Sequence, residues 1–285
     1  MQSFEFLFNP NSPYAVYDTF CFEPENEKEK KLGNLYIAGE LKNSLPQKRH
    51  FLSSLANIIK KEYYGNYNTS PEESFKKSLE KANEFLSSQI KNNEVDWLGN
   101  LNFAVLAVTP DCLLNFTTVG KLKIFLLRNN EILNIEQRTK LEEERVSSSK
   151  IFQNIITGSL NQENKILITT EEISDLFEKE GVLKNLAQAK EKEIKKIFKT
   201  KRRLLENVFG FCLLISLTPR RKELRISFSK IHFPFFSTRA TAKGEDERSS
   251  STRLIPPLSK ERLRKSLISI LILAILLLLG SFLFK

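Results

Sequence analysis

Cysteine is scarce: Cys21, Cys112 and Cys212 lie far apart, odd in number and without a CxxC spacing. That pattern argues against a disulfide framework or a zinc knuckle and predicts a reducing compartment. Cys112 and Cys212 stand among apolar neighbours, where a free thiol behaves as a small hydrophobe. Histidine is scarcer still, and His50 and His232, with no partner at ligand spacing, read as ordinary residues. The chain has no internal repeat, and its first twenty residues lack a charged n-region and a long apolar h-region, so no signal peptide is expected. A concentration of positive charge in the first part of the chain is not expected either. The net charge is +10, but residues 219–265 hold thirteen Lys/Arg against five Asp/Glu and Lys285 adds one more, leaving about +1 for residues 1–218. This distribution excludes the basic stripe of a nucleic-acid binder from the first 218 residues and puts the charge beside a membrane surface.

What the chain does have is a long apolar run at its end. Ser266–Phe284 carries no charge and is mostly Leu and Ile. At about 1.5 Å rise per residue, such a helix matches a hydrocarbon core of about 30 Å and satisfies its own backbone polar groups. Lys260, Arg262, Arg264 and Lys265 stand immediately before it, opposed only by Glu261. The positive-inside rule then predicts a single-pass membrane protein with its N-terminal part in the cytoplasm. Residues 237–265 are small, polar, basic and Pro-containing and read as a flexible linker. Residues 219–236 read as an extra strand or as a membrane-surface segment.

Residues 1–218 are enough for one sizeable core. Asn34–Leu41 reads as a strand, and Lys48–Tyr63 has Phe51, Leu55, Ile58 and Ile59 at helical spacing. Ser70-Pro71-Glu72-Glu73 is a helix start, with Ser as N-cap and Pro at the first helical position. Then the period changes to strands at 102–109, 113–119, 123–128 and 131–135, joined by turn residues and spaced closely enough to favour antiparallel meanders. A polar stretch from Glu136 to Lys150, a strand at 165–170, helical segments at 171–177 and 182–198, and a closing strand at 209–217 complete a layered α+β domain.

Several of these segments resemble the PPM-type (type 2C) metal-dependent serine/threonine phosphatases over most of residues 14–218. Leu114–Ile135 is similar to the strand pair around Val-Gly-Asp-Ser-Arg, and Lys165–Phe177 to the strand ending in Ser-Asp-Gly. Asn34–Asn43 is similar to the strand ending in Asp-Gly-x-Gly-Gly, Glu206–Leu214 to the Asp-Asn before the closing strand, and Val16–Phe20 to the early acidic motif. The resemblance implies a sandwich of two antiparallel β-sheets flanked by helix pairs, with the C-terminal transmembrane helix added.

The family's chemistry needs two Mg²⁺ or Mn²⁺ ions held by carboxylates, one of them bridging, which activate a water against phosphorus. By the resemblance, Asp18 takes the early acidic place, and Gly39, followed by Glu40, takes the place of the bridging Asp. Lys121 replaces the Asp of Val-Gly-Asp-Ser-Arg, Glu171 and Glu172 replace the Asp-Gly pair, and Glu206-Asn207 replaces Asp-Asn. Pro13 stands where a phosphate-holding Arg is expected. Glu40, Glu171 and Glu206 invite a metal reading, but they read more simply as solvated carboxylates, and no cofactor is expected. The expected function is a catalytically silent binding or regulatory module, with the bilayer and a protein at the membrane as partners and no nucleic acid. The alternatives are a divergent active Mg/Mn-dependent phosphatase and a structural membrane-tethered interaction protein.

Overall fold

The computed structural model describes residues 1–9, 15–44, 49–128, 131–136 and 151–217. Pro13, the segment 219–236, the linker, the basic flank Lys260, Arg262, Arg264 and Lys265, and the apolar run 266–284 lie outside these residues. No helix among the described residues is long and apolar enough to cross a membrane.

Among the described residues, ten strands form two five-stranded sheets in which every pairing is antiparallel. The first runs β2 (Ala15–Phe22), β3 (Asn34–Lys42), β4 (Leu101–Val108), β5 (Leu113–Val119), β8 (Ile156–Ser159). The second runs β1 (Gln2–Phe8), β10 (Gly210–Ser216), β9 (Lys165–Thr169), β6 (Lys123–Arg128), β7 (Glu131–Asn134). Helices α1 (Arg49–Gly65) and α2 (Pro71–Lys91) cover the first sheet. Helices α3 (Glu171–Lys179), α4 (Val182–Gln188) and α5 (Glu191–Thr200), with the single turn α6 (Arg202–Leu205), cover the second.

Three apolar layers follow from this stacking, because strand side chains alternate between faces. Leu35, Ile37 and Leu41 of β3 and Phe103 and Val105 of β4 pack against Leu52, Leu55, Phe75 and Leu79 of α1 and α2. The alternate residues Tyr36, Ala38, Ala104 and Leu106 meet Ile124, Ile166, Ile168, Leu213 and Ile215 between the sheets. Leu167, Leu214 and Phe125 face Ile173, Phe177, Leu186, Ile194 and Phe198. Strands buried on both faces need apolar residues throughout, which is why β4, β9 and β10 read as near-continuous hydrophobic runs.

The helix start at Ser70 forms as the sequence predicts: the Ser70 hydroxyl accepts the Glu73 N–H at 3.2 Å, with Pro71 opening α2. The segment expected as one helix over 182–198 is broken. Ala189 is extended (φ −66°, ψ 139°), and α5 starts anew after Lys190, whose N–H donates to the Glu193 carboxylate at 2.8 Å.

Candidate functional site

One end of the inter-sheet layer is polar. It gathers the last residues of β3, the first of β4, the turn after β5 and the start of α3. In register, Tyr17, Glu40 and Asn102 lie side by side across β2, β3 and β4. Glu40 is 4% exposed, and its Oε2 accepts a hydrogen bond from Asn102 Nδ2 at 2.7 Å. The other end of that amide is also used: Asn102 Oδ1 accepts the backbone N–H of Lys121 at 2.8 Å. This bond needs Gly120, which takes φ 79°, because a side chain there would collide with Asn102 Oδ1 and with the Leu101 carbonyl. Lys42 closes the end by pairing with Glu172 of α3 at 2.7 Å. Tyr17 donates to the backbone carbonyls of Phe8 and Asn9, tying β2 to the end of β1.

The charges here are coupled. Burial pushes the Glu40 pKa above the ordinary carboxylate value, against Lys42 and the Asn102 hydrogen bond, and the neighbouring charges of Glu172 and Glu171 push it further. Burial works against the Lys42 ammonium, but the Glu172 hydrogen bond and the charges of Glu40, Glu172 and Glu171 outweigh it and leave its pKa raised.

The structure reassigns several sequence-predicted positions. Gly39, expected at the bridging place, faces the helix layer: a Cβ built on it lies 2.7 Å and 2.9 Å from the Phe103 ring and 3.1 Å from Leu52. The acidic residue on the inter-sheet face is Glu40, one position on. Asp18 pairs with Gly39 in register, so it shares that opposite face, and its Oδ1 accepts the Thr19 N–H at 2.9 Å. The Lys121 side chain is exposed rather than set among the carboxylates, and only its backbone joins the network. Glu171 begins α3 near Glu40, whereas Glu206 is exposed and pairs with Arg202 at 3.4 Å. The Glu40/Glu171/Glu206 grouping that invites a metal reading therefore does not form, and Glu40 is buried rather than the solvated carboxylate expected. The residues that sequence reasoning missed are Asn102 and Lys42, and the parity of β3 and β4 was the signal that could have found them.

The first part of the chain also departs from the expectation of no concentrated charge. Residues 190–206 hold eight Lys/Arg against three Asp/Glu, so the near-neutral total of residues 1–218 hides a basic region on α5 and α6.

Two divalent cations need carboxylate oxygens converging from several elements. Among the described residues, no three His, Cys, Asp or Glu side chains are grouped so as to hold an ion. One Glu40 oxygen is committed to the Asn102 amide, Lys42 brings a cation to the same end, and Asp18 faces the other layer. The described residues do not fit a two-metal centre.

No family model matches the chain, and no curated protein matches it. Among solved structures, the SiaA-PP2C domain of Pseudomonas aeruginosa is similar with a TM-score of 0.50 at 11% identity, over 74% of this chain and 84% of that one. The RsbU and RsbW domains of a Mycobacterium tuberculosis protein give 0.49 at 13% identity, and the match covers 74% of this chain and 59% of that structure. The M. tuberculosis serine/threonine phosphatase PstP gives 0.44 at 13% identity, over 72% of this chain and 100% of that one. At 11% identity the likeness to the SiaA domain is one of fold. Two antiparallel sheets with their covering helices fit the PPM-type α+β phosphatase fold.

Proposed function

We propose that this chain is a membrane-anchored, catalytically silent relative of the PPM-type phosphatases that works as a cytoplasmic binding or regulatory module for a protein partner. The observation that carries this reading is the environment of Glu40. Its carboxylate is clamped by an amide and flanked by an ammonium, whereas a reacting centre would need that oxygen for a metal. The fold supports a phosphatase ancestry, and Lys121 and Glu171, which stand where the resemblance expects Asp, support the loss of chemistry. The run Ser266–Phe284 with its basic flank supports the anchor.

Two measurements test the parts separately. The 285-residue chain in detergent, supplied with Mn²⁺ or Mg²⁺, should release no phosphate from an aryl phosphate; metal-dependent turnover would favour the divergent enzyme. Deleting Ser266–Lys285 should move the protein from the membrane pellet to the supernatant at moderate salt without loss of cooperative melting. Retention in the pellet would remove the anchor from the account and leave the domain assignment standing.

A further inference from the structure

Helix α5 buries Ile194 and Phe198 against the second sheet. At 100° per residue, Lys192, Lys195, Lys196 and Lys199 then fall together on the outward side, and all four are exposed. No carboxylate stands among them: Glu191 lies toward the buried side, and Glu193 accepts the Lys190 N–H at the helix start. The lysines make no ion pair with any described residue, whereas the nearby Lys201 and Arg202 are matched by Glu180 at 3.2 Å and Glu206 at 3.4 Å. Like charges at i,i+3 and i,i+4 oppose a helix, so this face carries a repulsion that no ion pair among the described residues offsets. In the turn that follows, exposed Arg203 adds charge, and two large apolar side chains further along the chain stay open to solvent, Leu204 at 39% and Phe209 at 44% exposed.

A row of cations bordered by exposed Leu and Phe suits an interface that is anionic at its surface and apolar just beneath. We propose that the α5–α6 face docks on an anionic phospholipid bilayer, with Lys192, Lys195, Lys196 and Lys199 on the headgroups and Leu204 and Phe209 at the acyl boundary. The counter-charge that no described residue supplies then comes from the lipid. The membrane location rests on the anchor reading of Ser266–Phe284, whereas the lysine face does not. A tether raises the effective concentration of lipid at the domain, so a weak surface contact suffices to hold it in one orientation. Because exposed charges are screened over ~8 Å at physiological salt, docking requires direct contact and is lost in high salt.

The test is amine-reactive footprinting of the 285-residue chain in nanodiscs, read lysine by lysine by mass spectrometry. On discs containing phosphatidylserine, acylation of Lys192, Lys195, Lys196 and Lys199 should be at least ~5-fold slower than on phosphatidylcholine discs, the factor that surface attraction of one basic residue confers. Molar salt should abolish the difference, and Lys76 and Lys91 on α2 should react alike on both discs. The K195E/K199E variant should leave Lys192 and Lys196 equally reactive on the two lipids. Equal reactivity of the wild-type face on both discs overturns the proposal, as does protection by RNA or duplex DNA in detergent with none from phosphatidylserine. A chain that fails to enter discs sinks the anchor alone; phosphatidylserine vesicles added to that soluble chain then decide the lysine face by the same protection.

Discussion

Replacing Gly39 by Asp is expected to cost ~4 kcal/mol or more and to leave the domain marginal or unfolded. The added Cβ alone would sit 2.7 Å and 2.9 Å from the Phe103 ring carbons and 3.1 Å from Leu52, closer than packed side chains tolerate. Overpacking of that kind costs ~1–3 kcal/mol. The carboxylate would then lie in the apolar layer beneath α1 and α2, adding a desolvation penalty of several kcal/mol. Against a total stability of ~5–15 kcal/mol, the sum takes a large part of what holds the fold. Urea titration of the variant beside Gly39→Ala separates the steric share from the charge share. A loss under ~1 kcal/mol for Gly39→Asp would mean that this position faces the polar end instead, and the reassignment to Glu40 would fall.

Removing the amide of Asn102 is expected to cost ~2–4 kcal/mol at pH 8 and less in acid. Asn102→Ala leaves the buried Glu40 carboxylate without its donor and the Lys121 N–H without its acceptor. The sign of the pH dependence follows from the raised Glu40 pKa. Above the unfolded carboxyl value of 4.5, the native state holds the proton more tightly than the unfolded state does. Stability contributed by this group is therefore present at low pH and falls as pH rises from there through the raised folded pKa. Asn102 favours the charged form, so its loss widens that window. Glu40→Gln keeps an acceptor oxygen and removes the charge. Relative to the native chain it should gain stability above the window and show no gain near pH 4. In that background Asn102→Ala should cost less at pH 8. An Asn102→Ala penalty that is unchanged by pH and by Glu40→Gln would show that the two residues are not coupled.

Much of the fold is legible in the sequence because its signals are local. The hairpin strands of β4 to β7 announce themselves by apolar runs broken at Pro110-Asp111, Gly120 and Asn129-Asn130, and α2 by its Ser70-Pro71 start. The edge strands β1, β2 and β8 are not among the segments read as strands. In β1, Ser3, Phe4, Glu5 and Phe6 alternate, but Leu7 breaks the pattern before Phe8, and β8 spans four residues including a glycine. The break between α4 and α5 has no Gly or Pro to mark it; the chain turns because Ala189 goes extended and Lys190 caps the next helix. The site is less legible than the fold because motif matching does not set parity. A one-residue slip in a strand moves every side chain to the other face, and this alone separates Gly39 against Phe103 from Glu40 against Asn102. The lysine face of α5 disappears for a different reason: summing charge over 218 residues averages +5 on residues 190–206 against a net negative remainder.

If the chain is silent as proposed, the polar end between the sheets, organised by Glu40, Asn102 and Lys42, holds no two-metal centre of the kind the phosphatase resemblance implies. The most direct measurement is the melting temperature of the 285-residue chain as Mn²⁺ is raised to millimolar concentration. Micromolar binding to the native state alone would add ~4 kcal/mol at a thousandfold excess over Kd, a shift of many degrees. No rise is expected, in the native chain or in Glu40→Gln. A clear Mn²⁺-dependent rise that Glu40→Gln abolishes would contradict it and place a working metal site at Glu40.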